Sequence, residues 1–143
     1  MSFVREDHAP RADRVLSERS VQELTQMLEA VVTGEGTGVR AAVPGYRVAG
    51  KTGTARKSQA GGYADDRYVA VFAGFAPASR PRLVIVVVID EPSGGIYYGG
   101  DVAAPVFSTV MAGALRLLAV APDMPLEPPL ILAHAPLEAA GAP

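Results

Sequence analysis

Val43-Pro44-Gly45-Tyr46-Arg47-Val48-Ala49-Gly50-Lys51-Thr52-Gly53-Thr54-Ala55-Arg56 is the stretch whose local structure decides everything around it. Residues 45–52 fit G-x-x-x-x-G-K-[ST] letter for letter, the pattern of a loop whose backbone N–H groups cradle phosphates. Residues 83–89 followed by Asp90-Glu91 add an apolar strand ending in an acid, where such proteins hold magnesium. A phosphate cradle, however, has to open a helix, because the helix's free N–H groups and dipole make the anion site. Lys51-Thr52 runs instead into Gly53-Thr54-Ala55-Arg56-Lys57-Ser58-Gln59-Ala60-Gly61-Gly62, which has three glycines beyond the loop and no apolar stripe. The loop interior, Tyr46-Arg47-Val48-Ala49, is bulky and strand-like, and Pro44 stands where the preceding strand should finish. Residues 46–54 therefore read as a strand, and a P-loop ATPase built on Gly45 to Thr52 is kept as the least favoured reading.

On a strand, successive side chains point to opposite faces. Lys51 and Gly53 then share one face, Thr52 and Thr54 the other. A glycine beside the lysine clears a trough along the strand edge, where another extended backbone could lie. The ammonium supplies a point charge and a threonine hydroxyl a donor, which together suit a terminal carboxylate.

Working outward, residues 58–66 read as a turn or exposed loop around Gly61-Gly62, and residues 68–75 as a second strand. Pro77 and Pro81 fix a tight connection into residues 83–89, a continuous aliphatic run expected for a central strand buried on both faces. Connections this short predict antiparallel neighbours. Upstream, Val21, Leu24, Met27, Leu28, Val31 and Val32 recur at helical intervals. Ser20 with Glu23 has capping-box spacing, Ser17 is a second candidate cap, and Gly34, Gly36 and Gly38 end the helix. Downstream, Gly94-Gly95 and Gly99-Gly100 bracket Ile96-Tyr97-Tyr98 on a loop expected to be flexible. A second helix begins near Asp101 with Pro105 in its first turn and Val102, Val106, Phe107, Val110, Met111, Ala114, Leu115 and Leu118 along one side. Six prolines in residues 121–143 predict a disordered tail after an ordered part over residues 1–120.

Composition removes whole classes of function. The chain has 143 residues, 49% hydrophobic and 20% charged, which is one globular domain. A net charge of −2 gives no basic field for nucleic acid. There is no cysteine, and His8 and His134 lie near opposite ends, so neither a metal site nor any cofactor is expected. The seven residues 83–89 are the longest aliphatic run, against about 20 for a membrane span. No anchor or secretory signal is present in this chain.

The blocks Val43 to Arg56, Phe72-Ala73-Gly74-Phe75-Ala76-Pro77, Val88-Ile89-Asp90-Glu91-Pro92 and Gly99-Gly100-Asp101-Val102-Ala103-Ala104-Pro105-Val106-Phe107 follow one another as in the penicillin-binding proteins. Over roughly residues 1–120 the chain resembles the C-terminal part of a class B member of that family, nearest to the septal, cell-division enzymes of Gram-negative bacteria. These are serine-type peptidoglycan D,D-transpeptidases with S-x-x-K, S-x-N and K-T-G motifs. The resemblance implies an α/β (α+β) fold: the C-terminal portion of the transpeptidase fold shared with serine β-lactamases, its antiparallel sheet flanked by an N-terminal and a C-terminal helix. It also implies roles. Lys51 would orient the substrate and share in proton movement near the nucleophile, and Thr54 would give a backbone N–H to the oxyanion hole. Thr52 would bind the carboxylate of a terminal D-Ala or a β-lactam, and Gly53 would let the substrate lie against the strand. Arg56 would face the cleft, and Tyr68, Tyr97 and Tyr98 would form an aromatic wall; packing explains those tyrosines as well. Asp90 and Glu91 are read as turn residues.

Two of the three motifs are missing. The serines are at positions 2, 17, 20, 58, 79, 93 and 108, and none has a lysine three residues on; there is no asparagine. No nucleophile is therefore expected in this chain, which alone should be inactive. Its implied partners are peptidoglycan stem peptides and β-lactams, bound through the complete domain, the missing N-terminal part of the same protein, and divisome proteins. The full-length family member would sit on the periplasmic face of the inner membrane. The alternative is a non-catalytic remnant or interaction module, and in either case the isolated chain should be marginal in stability.

Overall fold

The computed structural model describes residues 13–59 and 61–124. Its elements run helix α1 (Glu18–Ala30), a 3-10 turn (Val39–Ala41), strands β1 (Ala49–Gln59), β2 (Gly62–Ala76) and β3 (Leu83–Asp90), a short helix α2 (Gly99–Val102) and helix α3 (Ala104–Leu117). The strands form one antiparallel sheet in the order β1-β2-β3.

Register sorts the sheet into two faces. Thr52 pairs with Phe72 and Phe72 with Val87; Thr54 pairs with Ala70 and Ala70 with Ile89. These rows lie on the α3 side, where Phe72, Phe107, Met111 and Leu115 are fully buried. The Phe72 and Phe107 rings meet with centroids 4.7 Å apart. Three glycines make room for the Phe72 ring: a Cβ at Gly50 would come within 2.6 Å of it, and one at Gly38 or Gly74 within 2.9 Å.

The opposite face carries the rows Ala49–Phe75–Val84, Lys51–Ala73–Val86 and Gly53–Val71–Val88. Nothing among the described residues covers its outer strand: Val84, Val86 and Val88 are 72%, 59% and 58% exposed. The expectation of a central strand buried on both faces is thus corrected, since β3 is an edge strand and β2 the central one. An aliphatic run records what a strand needs on each side, and only one side is met within this chain. Helix α1 shows the same shortfall: it buries none of its residues, and Val21, Leu24 and Met27 are exposed.

Other expectations shift locally. The segment 58–66 is not a loop: β1 and β2 continue to the pair Gln59–Gly62, with an irregularity between Arg56 and Ser58. Among the described residues of the segment 57–67 only Ala64 is buried, so hydrophobic alternation could not announce this ribbon. Tyr46 precedes β1, in a turn where Tyr46 N–H donates to Val43 C=O at 3.1 Å. Pro44 and Gly45, with Gly45 at φ 82°, supply the geometry a type II turn requires. Lys51-Thr52 lie inside β1 rather than at a helix start, which removes the anion site an ATPase needs. Asp90 and Glu91, the supposed magnesium acids, instead accept from Lys57 Nζ at 3.0 Å and 2.7 Å. The cap of α1 is Ser17, whose hydroxyl accepts from Ser20 N–H at 3.1 Å. Helix α3 buries Ala104, Phe107, Met111 and Leu115, while Val106, Val110 and Leu118 of its expected apolar side are exposed.

Residues 121–124, assigned to the tail by composition, are tied to the body. Asp123 accepts from Arg47 N–H at 2.7 Å, and from Ser79 N–H and Oγ at 3.2 Å and 2.6 Å. Met124 N–H donates to Gly45 C=O, and Tyr46 Oη to Val120 C=O. Arg47 also forks onto both carboxylate oxygens of Glu29 at 2.8 Å, joining α1 to the same knot. The rest of the expected tail, residues 125–143, lies outside the described residues, as do His8 and His134.

Burial pushes the Asp123 carboxyl up, but hydrogen bonds from Ser79 and Arg47, with the Arg47 charge, outweigh it and hold the pKa below its ordinary 3.8. A depressed carboxyl stabilises the fold fully above its unfolded pKa, and that stabilisation fades as pH falls through the lower folded value. Asp123→Ala should therefore cost about 1–3 kcal/mol in urea unfolding at pH 7, because it strands its donors. The gap between wild type and Asp123→Ala should close below pH 3.8. The bare apolar faces predict that the purified chain binds a hydrophobic dye and associates as its concentration rises. Reversible, cooperative melting as a monomer at micromolar concentration would contradict that expectation.

Candidate functional site

Strand β1 has β2 on one side only, so its other edge is unpaired within the sheet. Thr52 and Thr54 rise from it on the helix side, with side chains about 7 Å apart as strand geometry requires. They line a pocket of about 300 Å³ with Thr37, Tyr98, Gly99, Gly100 and Asp101. Two glycines let α2 lie flat against the strands. A Cβ at Gly99 would fall 2.3 Å from Val71 O and 2.5 Å from Gly53 O, and one at Gly100 would fall 2.0 Å from Thr37 O. Gly99-Gly100 thus open a docked helical turn rather than close a flexible loop.

The hydroxyls are wired in a particular way. Lys51 Nζ donates to Thr52 Oγ1 at 3.2 Å and to Thr52 C=O at 3.1 Å, although the lysine's own position belongs to the opposite face. Thr37 Oγ1 lies 3.0 Å from Thr52 Oγ1. A threonine hydroxyl has one proton to give and two lone pairs to fill. Either hydroxyl of that pair can be the donor; where Thr37 donates, it and Lys51 fill both lone pairs of Thr52, and the Thr52 proton is available to an acceptor in the pocket. Thr54 Oγ1 accepts from Gly99 N–H at 3.1 Å, which leaves its proton free as well. The lining carboxylate, Asp101, is 3.5 Å from the Arg40 guanidinium, which offsets its charge. The pocket is therefore donor-rich and suited to an anion of carboxylate size.

Aromatic rings stand next to it. Tyr68 and Tyr97 stack with centroids 3.9 Å apart and planes 8° apart, and Tyr98 meets Tyr97 at 4.7 Å. Arg56, paired with Tyr68 across the strands, places its guanidinium 5.9 Å from that ring. Tyr98 holds the Tyr97 phenol above the ordinary tyrosine range, so that ring is uncharged at neutral pH. Six of the eight residues singled out in the sequence, Thr52, Thr54, Arg56, Tyr68, Tyr97 and Tyr98, thus stand together on the helix side. Lys51 and Gly53 belong to the bare face. Thr37 is the residue that reading the sequence missed: it sits between Gly36 and Gly38, where three glycines read simply as a helix end, and only the fold brings it to Thr52. Among the described residues no group of acids or histidines is placed to hold a metal.

The chain is 44% identical over 126 residues to the probable peptidoglycan D,D-transpeptidase PenA of Neisseria flavescens, covering 88% of this chain and 32% of that protein. It is 46% identical over 123 residues to the peptidoglycan D,D-transpeptidase FtsI of Escherichia coli, covering 86% of this chain and 21% of FtsI. The chain thus spans between a fifth and a third of the length of these relatives. Among solved structures, the apo transpeptidase domain of Burkholderia pseudomallei penicillin-binding protein 3 superposes with a TM-score of 0.75 at 46% identity, over 86% of this chain and 37% of that one. The family profile of the penicillin-binding protein transpeptidase domain matches residues 1–112. With the fold and a profile that covers residues 1–112 in agreement, the chain belongs to the penicillin-binding protein transpeptidase domain family.

Proposed function

We propose that this chain is the carboxylate-binding and oxyanion side of the cleft of a serine-type peptidoglycan D,D-transpeptidase, acting in septum synthesis at the periplasmic face of the inner membrane. The observation that carries the reading is the pair of hydroxyls of Thr52 and Thr54, each accepting one hydrogen bond from the protein and presented beside the edge of β1 that no described strand pairs. An extended peptide ending in D-Ala would add to that edge by backbone pairing, with its carboxylate in the pocket. Gly53 leaves the approach clear, since its Cβ direction meets only Val71. The Thr54 N–H would then donate to the oxyanion as the scissile carbonyl becomes tetrahedral. Arg56 and the Tyr68–Tyr97–Tyr98 wall would hold the rest of the stem peptide or the side chain of a β-lactam.

The attacking serine would come from a Ser-x-x-Lys segment supplied by an N-terminal part of the same protein. That part has a place to dock on the face whose outer strand exposes Val84, Val86 and Val88, in the rows that also carry Lys51–Ala73 and Gly53–Val71. Docked there, it would bring its serine to the side on which Lys51 originates, and the lysine's switch from Thr52 toward the nucleophile would link carboxylate recognition to proton movement. Residues 1–120 would then be transpeptidase domain, and interaction with divisome proteins would follow from the septal assignment.

The test uses the intact protein as cells make it, labelled with a fluorescent penicillin and detected through an epitope on residues 125–143. Thr52→Val and Thr54→Val should each slow acylation by about 10- to 100-fold, the worth of one hydrogen bond to a charged group. Thr37→Val should act through Thr52, slowing acylation less than Thr52→Val and adding little to it in the double variant. Labelling unaffected by Thr52→Val would overturn the carboxylate assignment. Absence of any labelled product longer than 143 residues would favour the non-catalytic module. The 143-residue chain alone should gain no penicillin adduct in its intact mass; an adduct would place a nucleophile within it.

A further inference from the structure

The threonine pocket has two electrostatic ends. At one, Lys51 Nζ donates to Thr52 Oγ1 at 3.2 Å, so an ammonium stands directly behind that hydroxyl. At the other is Asp101, the one charged side chain among the described residues that line the pocket. A space of about 300 Å³ is roughly 8 Å across, so a group held between Thr52 and Thr54 lies within about one Debye length of the Asp101 carboxylate.

Backbone packing fixes where that carboxylate is carried. Gly99 and Gly100 press α2 against Val71, Gly53 and Thr37, and Asp101 N–H donates to Tyr98 C=O at 2.9 Å. Arg40 stands on the 3-10 turn Val39–Ala41, anchored by the fully buried Ala41. Between these two fixed points the ion pair is loose. Arg40 Nη1 is 3.5 Å from Asp101 Oδ1 and 3.5 Å from Asp101 C=O, against about 2.7–2.9 Å for a tight charge-assisted bond. The side chains are 62% and 40% exposed, where such a pair adds little to stability. Arg40 does not itself line the pocket. It therefore weakens the field of Asp101 there without cancelling it.

We propose that Asp101 is a specificity-determining residue of this pocket and Arg40 its attenuator. If the pocket holds a ligand carboxylate, as proposed above, it favours ligands that carry a cationic group beside that carboxylate and disfavours doubly anionic ones. The carboxylate faces Thr52, Thr54 and the Lys51 charge, and the cation faces Asp101. The ligand class is zwitterionic: a peptide whose terminal D-residue has a basic side chain, or a β-lactam with a cationic substituent next to its ring carboxylate.

The test follows acylation of the intact protein by three cephalosporins that share one acyl side chain. They differ beside the ring carboxylate, bearing a quaternary ammonium, a neutral or a carboxylate substituent. Dividing the cationic by the neutral rate within each variant cancels differences in the fraction folded. Asp101→Asn should lower that ratio by about 3- to 10-fold, the worth of one partly screened charge at this distance, and should raise the relative rate of the doubly anionic compound. Arg40→Gln should raise the ratio, whereas Arg40→Gln combined with Asp101→Asn should match Asp101→Asn alone. Added salt should bring the wild-type ratio toward that of Asp101→Asn. A ratio unchanged by Asp101→Asn, with Thr52→Val still slowing all three compounds, would overturn the charge selection and leave the carboxylate reading standing. Loss of the Thr52→Val effect, or absence of any product longer than 143 residues, would remove the carboxylate reading and the selection with it.

Discussion

The ring of Phe72 is the fixed point of this structure. It sits under β1 in a seat made by Gly38, Gly50 and Gly74, and Phe107 of α3 closes the seat from the other side. A single methyl group on any of those glycines would collide with the ring or with neighbouring backbone. Because Gly50 immediately precedes Lys51-Thr52, the ring also sets the height of the threonine strand above the core. Because Gly38 follows Thr37, the same ring sets where the Thr37 turn lies, and so the Thr37–Thr52 contact. Packing at one aromatic side chain thereby fixes a polar geometry to within hydrogen-bond distance.

A second constraint works from the far end. Arg47 joins α1 through Glu29, its backbone accepts from Ala78 N–H, and its N–H reaches Asp123. Four segments distant in sequence meet at one residue on the approach to β1. The Glu29 carboxylate, hydrogen-bonded to the guanidinium, raises the Arg47 pKa, so the guanidinium at the centre of the knot stays charged. Between Arg47 and Gly50 the strand is held from outside and inside at once, which suits an element that must present hydroxyls accurately.

How much of this could be read beforehand depended on whether a residue's partner was local. The alternation at Lys51-Thr52-Gly53-Thr54 gave the two faces of β1 correctly, since strand period needs no tertiary knowledge. The ribbon over residues 55–68 was invisible because it is held by cross-strand hydrogen bonds and buries almost nothing. The aliphatic run at 83–89 misled in an instructive way: both its faces are apolar, but only the face bearing Ile85 and Val87 finds cover here. Asp123 looked like part of a proline-rich tail because its donors, Arg47 and Ser79, are 76 and 44 residues away. Thr37 escaped for the same reason, being 15 residues from Thr52 and framed by glycines. The family, by contrast, was legible throughout, because whole blocks rather than single contacts carry it.

The row Lys51–Ala73–Val86 has a consequence for assembly. The rows on either side of it are aliphatic, aromatic or glycine, so a covering surface can be greasy around Lys51. A surface that pulled the Lys51 ammonium away from Thr52 and offered no acceptor in exchange would bury an unpaired charge, at a cost of about 3–5 kcal/mol. On the proposed reading the lysine would act as a registration pin in the alignment of two halves of the fold, and the valines around it would supply adhesion that by itself could not tell one alignment from the next.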